Sequence, residues 1–190
     1  MRRDELEHAI RAATEIIKDD RVIIIGSQAI LGSYTEDQLP AAATMSPEVD
    51  IAPMRDTDAE ALSDQLSFDA GEWSEFHAAY GFYIEGVGKR TAILPPDWEY
   101  RLVGVRSAAT NNATGLCLDP HDLCAAKLMA HREKDFAFVQ ALVDARLIDP
   151  GILQQRLASI NLTEIESDQD IDVLDYRQRH SIAWAAALPR

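Results

Sequence analysis

Three short stretches of the chain bring together residue types able to do chemistry. In RVIIIGSQAILGSY, residues 21–34, an apolar run leads directly into Gly26 and Ser27. A glycine lets the backbone approach a ligand closely, and a serine adds a hydroxyl donor. If a helix starts there, its first N–H groups suit a phosphate. A tight turn with a serine cap explains the same two residues without any ligand. In SPEVDIAP, residues 46–53, Glu48 and Asp50 flank Val49. On a strand, positions i and i+2 project from one face, so the two carboxylates point together. They repel unless a cation sits between them, and hard oxygen ligands suit Mg²⁺. A solvated strand face accounts for an isolated E-x-D equally well. The third stretch holds Lys127, His131, Arg132, Lys134 and Asp135. On one continuous helix Lys127, His131 and Lys134 share a face, with Asp135 beside them. Such a cluster can cradle phosphate, or it can be a solvated surface with an Arg132–Asp135 or Lys127–His131 neighbour pair.

Other candidates are thinner. His77 and Glu85 are possible site residues, although such residues commonly cap helices or face solvent. Ser, His and Asp are all present, but no G-x-S-x-G elbow supports a hydrolase triad. Neither G-x-G-x-x-G nor a P-loop occurs, which counts against those modes of nucleotide binding. Trp73, Trp98 and Trp184 are expected to pack in the core or between lobes.

The elements that must position these residues can be read from periodicity. Apolar residues at three- and four-residue spacing predict a helix over 4–19. The run VIII reads as a strand buried on both faces, followed by a short helix from Ser27 to Ser33 with Ser27 as its N-cap. TEDQLPAAATMSP is expected to be a loop, EVDIAP a strand, and 57–66 and 72–79 helices. FYIEGVGKRTAIL predicts a β-hairpin turning near Gly86 and Gly88, and RLVGVR and TGLCLD two more strands. From Asp119, a cap with Pro120 at the first helical position, the chain turns helical. Helices are expected through 120–147, over IDPGILQQRLASI, and from about 169 to 186. The layout is α/β (α+β): a core over 1–118 and a helical C-terminal lobe over 119–190 packed on it as one compact unit.

With 190 residues, the chain is long enough for one substantial core. Two cysteines are too few for a disulfide framework or zinc cluster, so a reducing cytoplasm is the expected setting. The charged, amphipathic N-terminus does not read as a signal peptide, and no apolar run approaches the ~18 residues of a membrane span. The formal charge of −14 works against an extended nucleic-acid surface. An anionic substrate would need a local basic pocket or bound cations.

The order of these pieces carries more than any one of them. Strand, Gly-Ser, short helix, loop, then a strand with a paired acid resembles the nucleotidyltransferase superfold of the DNA polymerase β type. More closely, the chain resembles a bacterial family of nucleotidyltransferase-like proteins of unknown function, distantly related to AbiEii-type toxins. The matching pieces are GSQAILGS at 26–33, SPEVDIAP at 46–53, GEWSEFHAAYGFYIEGV at 71–87, TAILPPDWEYRLV at 91–103 and LCLDPHDLCAAKLMAHREKDFAFV at 116–139. The resemblance implies a nucleotidyltransferase-type mixed sheet flanked by helices. It implies Gly26 and Ser27 on the phosphates of an NTP, and Glu48 and Asp50 as catalytic, metal-holding acids for Mg²⁺ or Mn²⁺. Lys127, Arg132, Lys134 and Asp135 would then belong to the nucleotide pocket. Three features depart from the pattern: a glutamate in the first acid position, a long 28–47 segment, and no evident third carboxylate. Glu85 fills that third place on position alone.

The activity so implied is transfer of a nucleotide from an NTP to a protein or RNA acceptor, as in the toxin of a toxin–antitoxin pair with an antitoxin protein as partner. Two other readings stay open from the sequence. One is a catalytically degenerate nucleotide-binding or partner-binding module; the other is an interaction protein whose acidic surface docks a basic partner.

Overall fold

A computed structural model describes residues 1–165 and 170–189. Helix α1 (Arg3–Ile17) carries its apolar stripe as predicted, burying Leu6, Ala9, Ile10, Ala13 and Ile17, and ends where Lys18 turns left-handed. Strand β1 (Arg21–Ile24) follows, with Val22, Ile23 and Ile24 buried on both faces. The 28–47 segment is less irregular than its two prolines suggest. It contains 3₁₀ turns at Ser27–Gly32 and Glu36–Gln38 and a single-turn helix α2 (Ala41–Thr44). Strand β2 (Glu48–Pro53) then crosses the sheet. Helices α3 (Ala59–Ala70) and α4 (Glu75–Tyr80) precede β3 (Tyr83–Gly86), and β4 (Val103–Val105) and β5 (Thr114–Cys117) complete the strands.

The five strands form one mixed sheet in the order β3-β2-β1-β5-β4. β1 runs antiparallel to β2 and parallel to β5, while β2 and β3 are parallel. Register separates the two faces. Val22 and Ile24 lie opposite Pro53 and Ile51, and Ile10 of α1 packs so closely that a Cβ on Gly115 would meet its Cδ1 at 2.4 Å. That face is closed by α1 and α3. Glu48 and Asp50, two residues apart on β2, project from the other.

The hairpin expected over 82–94 does not form. Among the described residues β3 pairs only with β2, and the chain beyond it coils into a 3₁₀ turn at Lys89–Thr91. The reason lies in α3, which seals the edge strand. The Ser67 hydroxyl accepts the Gly86 N–H at 2.9 Å, the Ser63 hydroxyl donates to the Val87 carbonyl at 3.0 Å, and a Cβ on Gly86 would sit 1.9 Å from the Ser63 backbone carbonyl oxygen. With that edge taken, no returning strand has a ladder to join.

The rest is helical: α5 (Pro120–Ala130), α6 (Glu133–Asp144), α7 (Pro150–Ser159) and α8 (Ile171–Ala186). The final helix was expected from about residue 169, which lies outside the described residues. Asp119 caps α5 as expected, accepting the N–H groups of His121 and Asp122 with Pro120 in the first turn. Trp98 and Trp184 pack against the core, but Trp73 does not: it is 87% exposed. No described helix is long and apolar enough to cross a membrane.

Candidate functional site

The floor of the site is built where β1 ends beside β2. Ile25 donates its N–H to the Asp50 carbonyl at 3.1 Å, and the chain then turns through Gly26. A Cβ on Gly26 would lie 1.5 Å from the Asp50 carboxylate oxygen, so the glycine is required by the acid itself. Gly26, and not Ser27, is the cap of the short helix. Its carbonyl accepts the Ala29 N–H at 2.9 Å, which closes a 3₁₀ turn and leaves Ser27 as the first helical residue, without a capping side-chain bond.

Glu48 stands on the same face as Asp50, and Glu85 on β3 is paired in register with Asp50. All three carboxyls are held above the usual carboxylate range. Burial is the first cause for each; the Asp50 charge adds to it at Glu48, and the Glu48 charge adds to it at Glu85. The Ser67 hydroxyl opposes the upward shift at Glu85. Among the described residues no three His, Cys, Asp or Glu side chains converge closely enough to hold a metal ion. Of these three acids, Glu48 and Asp50 line the cleft.

Cations face them from the α5–α6 junction. Lys127, near the end of α5, is buried, with its Nζ 4.7 Å above the Phe138 ring and 3.4 Å from Asp135. One continuous helix through 127–135 does not exist: α5 stops at Ala130, and His131 adopts φ 60°, the left-handed conformation. Arg132 is extended and caps α6, whose third residue is Asp135. That break swings His131 away from the cleft, where its ring meets Phe136, Tyr176 and His180, with His131 Nε2 3.1 Å from His180 Nδ1. The same break returns Arg132 toward Lys127. Asp135, 1% exposed, accepts Arg132 Nε at 2.6 Å and Nη2 at 3.0 Å and also takes Lys127. Burial draws the Lys127 ammonium below its ordinary pKa while Asp135 resists that shift. The bond to Asp135 raises Arg132. Lys134 lines the same opening, and its charge, with that of Arg132, opposes the upward shift of Glu48.

These residues bound one cleft of about 680 Å³. Gly26, Ser27, Glu48, Asp50, Lys127, Arg132, Lys134 and Asp135 all line it; Glu85, one strand over, does not. Part of the wall is apolar, from Ile25, Val87, Ile93, Leu123 and Ala126. His77 lies elsewhere, bonded to Ser74 and to the Trp73 N–H and packed on Tyr83. Three contributors escaped the sequence reading. Gln28, fully buried, donates from Nε2 to the Ser46 carbonyl at 3.1 Å, and the Ser46 hydroxyl accepts the Glu48 N–H at 3.2 Å. A polar amide inside the apolar QAIL run was the available signal for Gln28. Arg177 reaches the cleft from α8, and no local pattern marks it.

Fold and cleft together define the class: an α/β protein with a mixed sheet that sets paired carboxylates against a cationic helix junction across one opening. Over residues 4–186 the chain matches the family model described as a nucleotidyltransferase of unknown function (DUF6036), and it belongs to that family. No curated protein and no solved structure gives a match.

Proposed function

We propose that the protein is a Mg²⁺- or Mn²⁺-dependent nucleotidyltransferase that moves a nucleotide from an NTP onto a hydroxyl of a protein or RNA acceptor. The observation that carries this reading is that Glu48 and Asp50 line a single cleft together with Lys127, Arg132 and Lys134 and the Gly26-Ser27 turn. The donor set fits a hard divalent cation. Two carboxylates share one face, are each disfavoured as anions by burial, and stand at a glycine that leaves room for one of them. In this role Glu48 and Asp50 hold the cation. Ser27, Lys127, Arg132 and Lys134 bind phosphate oxygens, and Asp135 orients Lys127 and Arg132 toward them. A bound cation would supply activation of the acceptor hydroxyl and neutralise charge on the leaving group. The acceptor hydroxyl gives up its proton to solvent, its oxygen forms a bond to the α-phosphorus as the bond from that phosphorus to the α–β bridging oxygen breaks, and pyrophosphate leaves. Modification of a cellular acceptor would suit the toxin of a toxin–antitoxin pair held by an antitoxin protein in the cytoplasm.

The test is incubation of the protein with each α-labelled NTP, Mg²⁺ or Mn²⁺, and cell lysate. Transfer of label to an acceptor is expected, falling about a hundredfold or more in the Glu48→Ala/Asp50→Ala double variant. Equal labelling by that variant refutes the reading. One observation favours a second reading, a nucleotide-binding module without turnover: Glu85, the third acid, stays outside the cleft. Calorimetry showing NTP binding independent of Mg²⁺, with no pyrophosphate release, selects it.

A further inference from the structure

Beside Glu48, on the β3 side of the sheet, the surface changes character. Tyr83 is paired in register with Glu48, the His77 ring lies 5.0 Å from Tyr83, and the Trp73 ring lies 6.4 Å from His77. Trp73 is held at φ 72°, a conformation uncommon for a residue with a side chain. Its N–H is fixed on His77 Nδ1 at 3.2 Å, yet its indole is 87% exposed. Burial in the core therefore gives no account of why a tryptophan stands there. Glu72 and Glu75 flank this ledge and are exposed, and Glu72 is near enough to act electrostatically on Glu48, Tyr83 and Glu85.

We infer that the Trp73–His77–Tyr83 ledge is the acceptor-docking surface, and that it takes a cationic polypeptide segment presenting a hydroxyl. The inference rests on the nucleotidyltransferase reading for the word acceptor. The ledge adjoins Glu48 through the Glu48–Tyr83 pairing, next to the acids proposed to hold the cation. Its carboxylates attract lysine and arginine and repel a phosphate backbone, and the chain as a whole, at −14, reinforces the choice. The exposed Trp73 ring adds stacking area for arginine and apolar contact for other side chains.

The experiment is calorimetric titration of the full chain, without nucleotide and at low salt, using three probes: an alternating lysine–serine peptide, an alternating glutamate–serine peptide, and bulk transfer RNA. Binding of the lysine–serine peptide is expected, with no binding of the other two. Trp73→Ala and Glu72→Lys should each weaken it about fivefold. The charge-matched Asp144→Lys, at the far end of α6 from the cleft, should leave it unchanged. All three variants should melt with the wild type, because these side chains are exposed. Equal weakening by Asp144→Lys, no effect of either ledge variant, or binding of transfer RNA that depends on Trp73 overturns the inference. Mg²⁺–NTP titration of the same samples keeps the two readings apart. Its failure with peptide binding intact removes the transferase, whereas intact NTP binding without peptide binding removes the ledge alone.

Discussion

Gly26 lacks a side chain because the carboxylate of Asp50 stands where its Cβ would be, 1.5 Å away. The turn and the acid are thus one design, and the acids themselves carry a cost that can be measured. Burial raises the pKa of both Glu48 and Asp50. The folded state then holds their protons more tightly than the unfolded chain does. Stability from these groups is lost as pH rises from the ordinary carboxylate pKa through the raised values, and the penalty is complete above them. The Glu48→Gln/Asp50→Asn variant should therefore melt above the wild type at ~pH 8, with the gap closing by ~pH 3.5. Thermal melts across that range check it, and a variant that melts lower at the alkaline end contradicts it. Millimolar Mg²⁺ should raise the wild-type melting temperature and leave the variant where it was.

At the scale of elements, the break between α5 and α6 does what a continuous helix could not. His131 in the left-handed conformation turns the chain, so Arg132 and Lys127 converge on one buried carboxylate, Asp135. Removing that carboxylate leaves the buried Lys127 ammonium without its partner. Asp135→Asn should cost about 3 kcal/mol in urea unfolding, the range for breaking one side of a buried pair. It should also weaken NTP binding in calorimetry. Loss of stability with unchanged affinity would show that Asp135 only holds the helices together. The same break explains why His131, expected on one helix face with Lys127 and Lys134, leaves the cleft that both lysines line. Spacing was read as if one helix ran through, and a single left-handed residue undid it.

Across the whole molecule, a second buried carboxylate joins elements far apart in the chain. Asp122 of α5, with no exposed surface, accepts Arg101 Nε at 2.7 Å and Nη2 at 3.1 Å. Arg156 of α7 adds a charge contact at 3.3 Å. This links the 3₁₀ turn at Trp98–Arg101 to both helices. Asp122→Ala should destabilise by about 3–5 kcal/mol in denaturant unfolding while leaving Mg²⁺–NTP affinity unchanged, because Asp122 does not line the cleft. A shift in affinity as large as the loss in stability would mean that the network also sets the cleft.

Much was legible from local pattern. The α1 stripe, the buried VIII strand, the Glu48/Asp50 alternation and the Asp119-Pro120 start of α5 each depend on neighbours a few residues away. Such features follow from side-chain periodicity and cap chemistry, which the chain carries wherever it folds. The order of Gly-Ser and the paired acid also pointed to the family before any geometry was known. What sequence alone did not determine are the matters settled by distant partners. α3 took the edge of β3 and cancelled the hairpin, and Glu85 on that edge strand stayed outside the cleft. Gln28 and Ser46 braced the start of β2, and α8 brought Arg177 to the cleft. Trp73, expected in the core, stayed outside it. Each outcome depends on which surfaces remain after the sheet and helices have packed, and that competition is decided only in three dimensions.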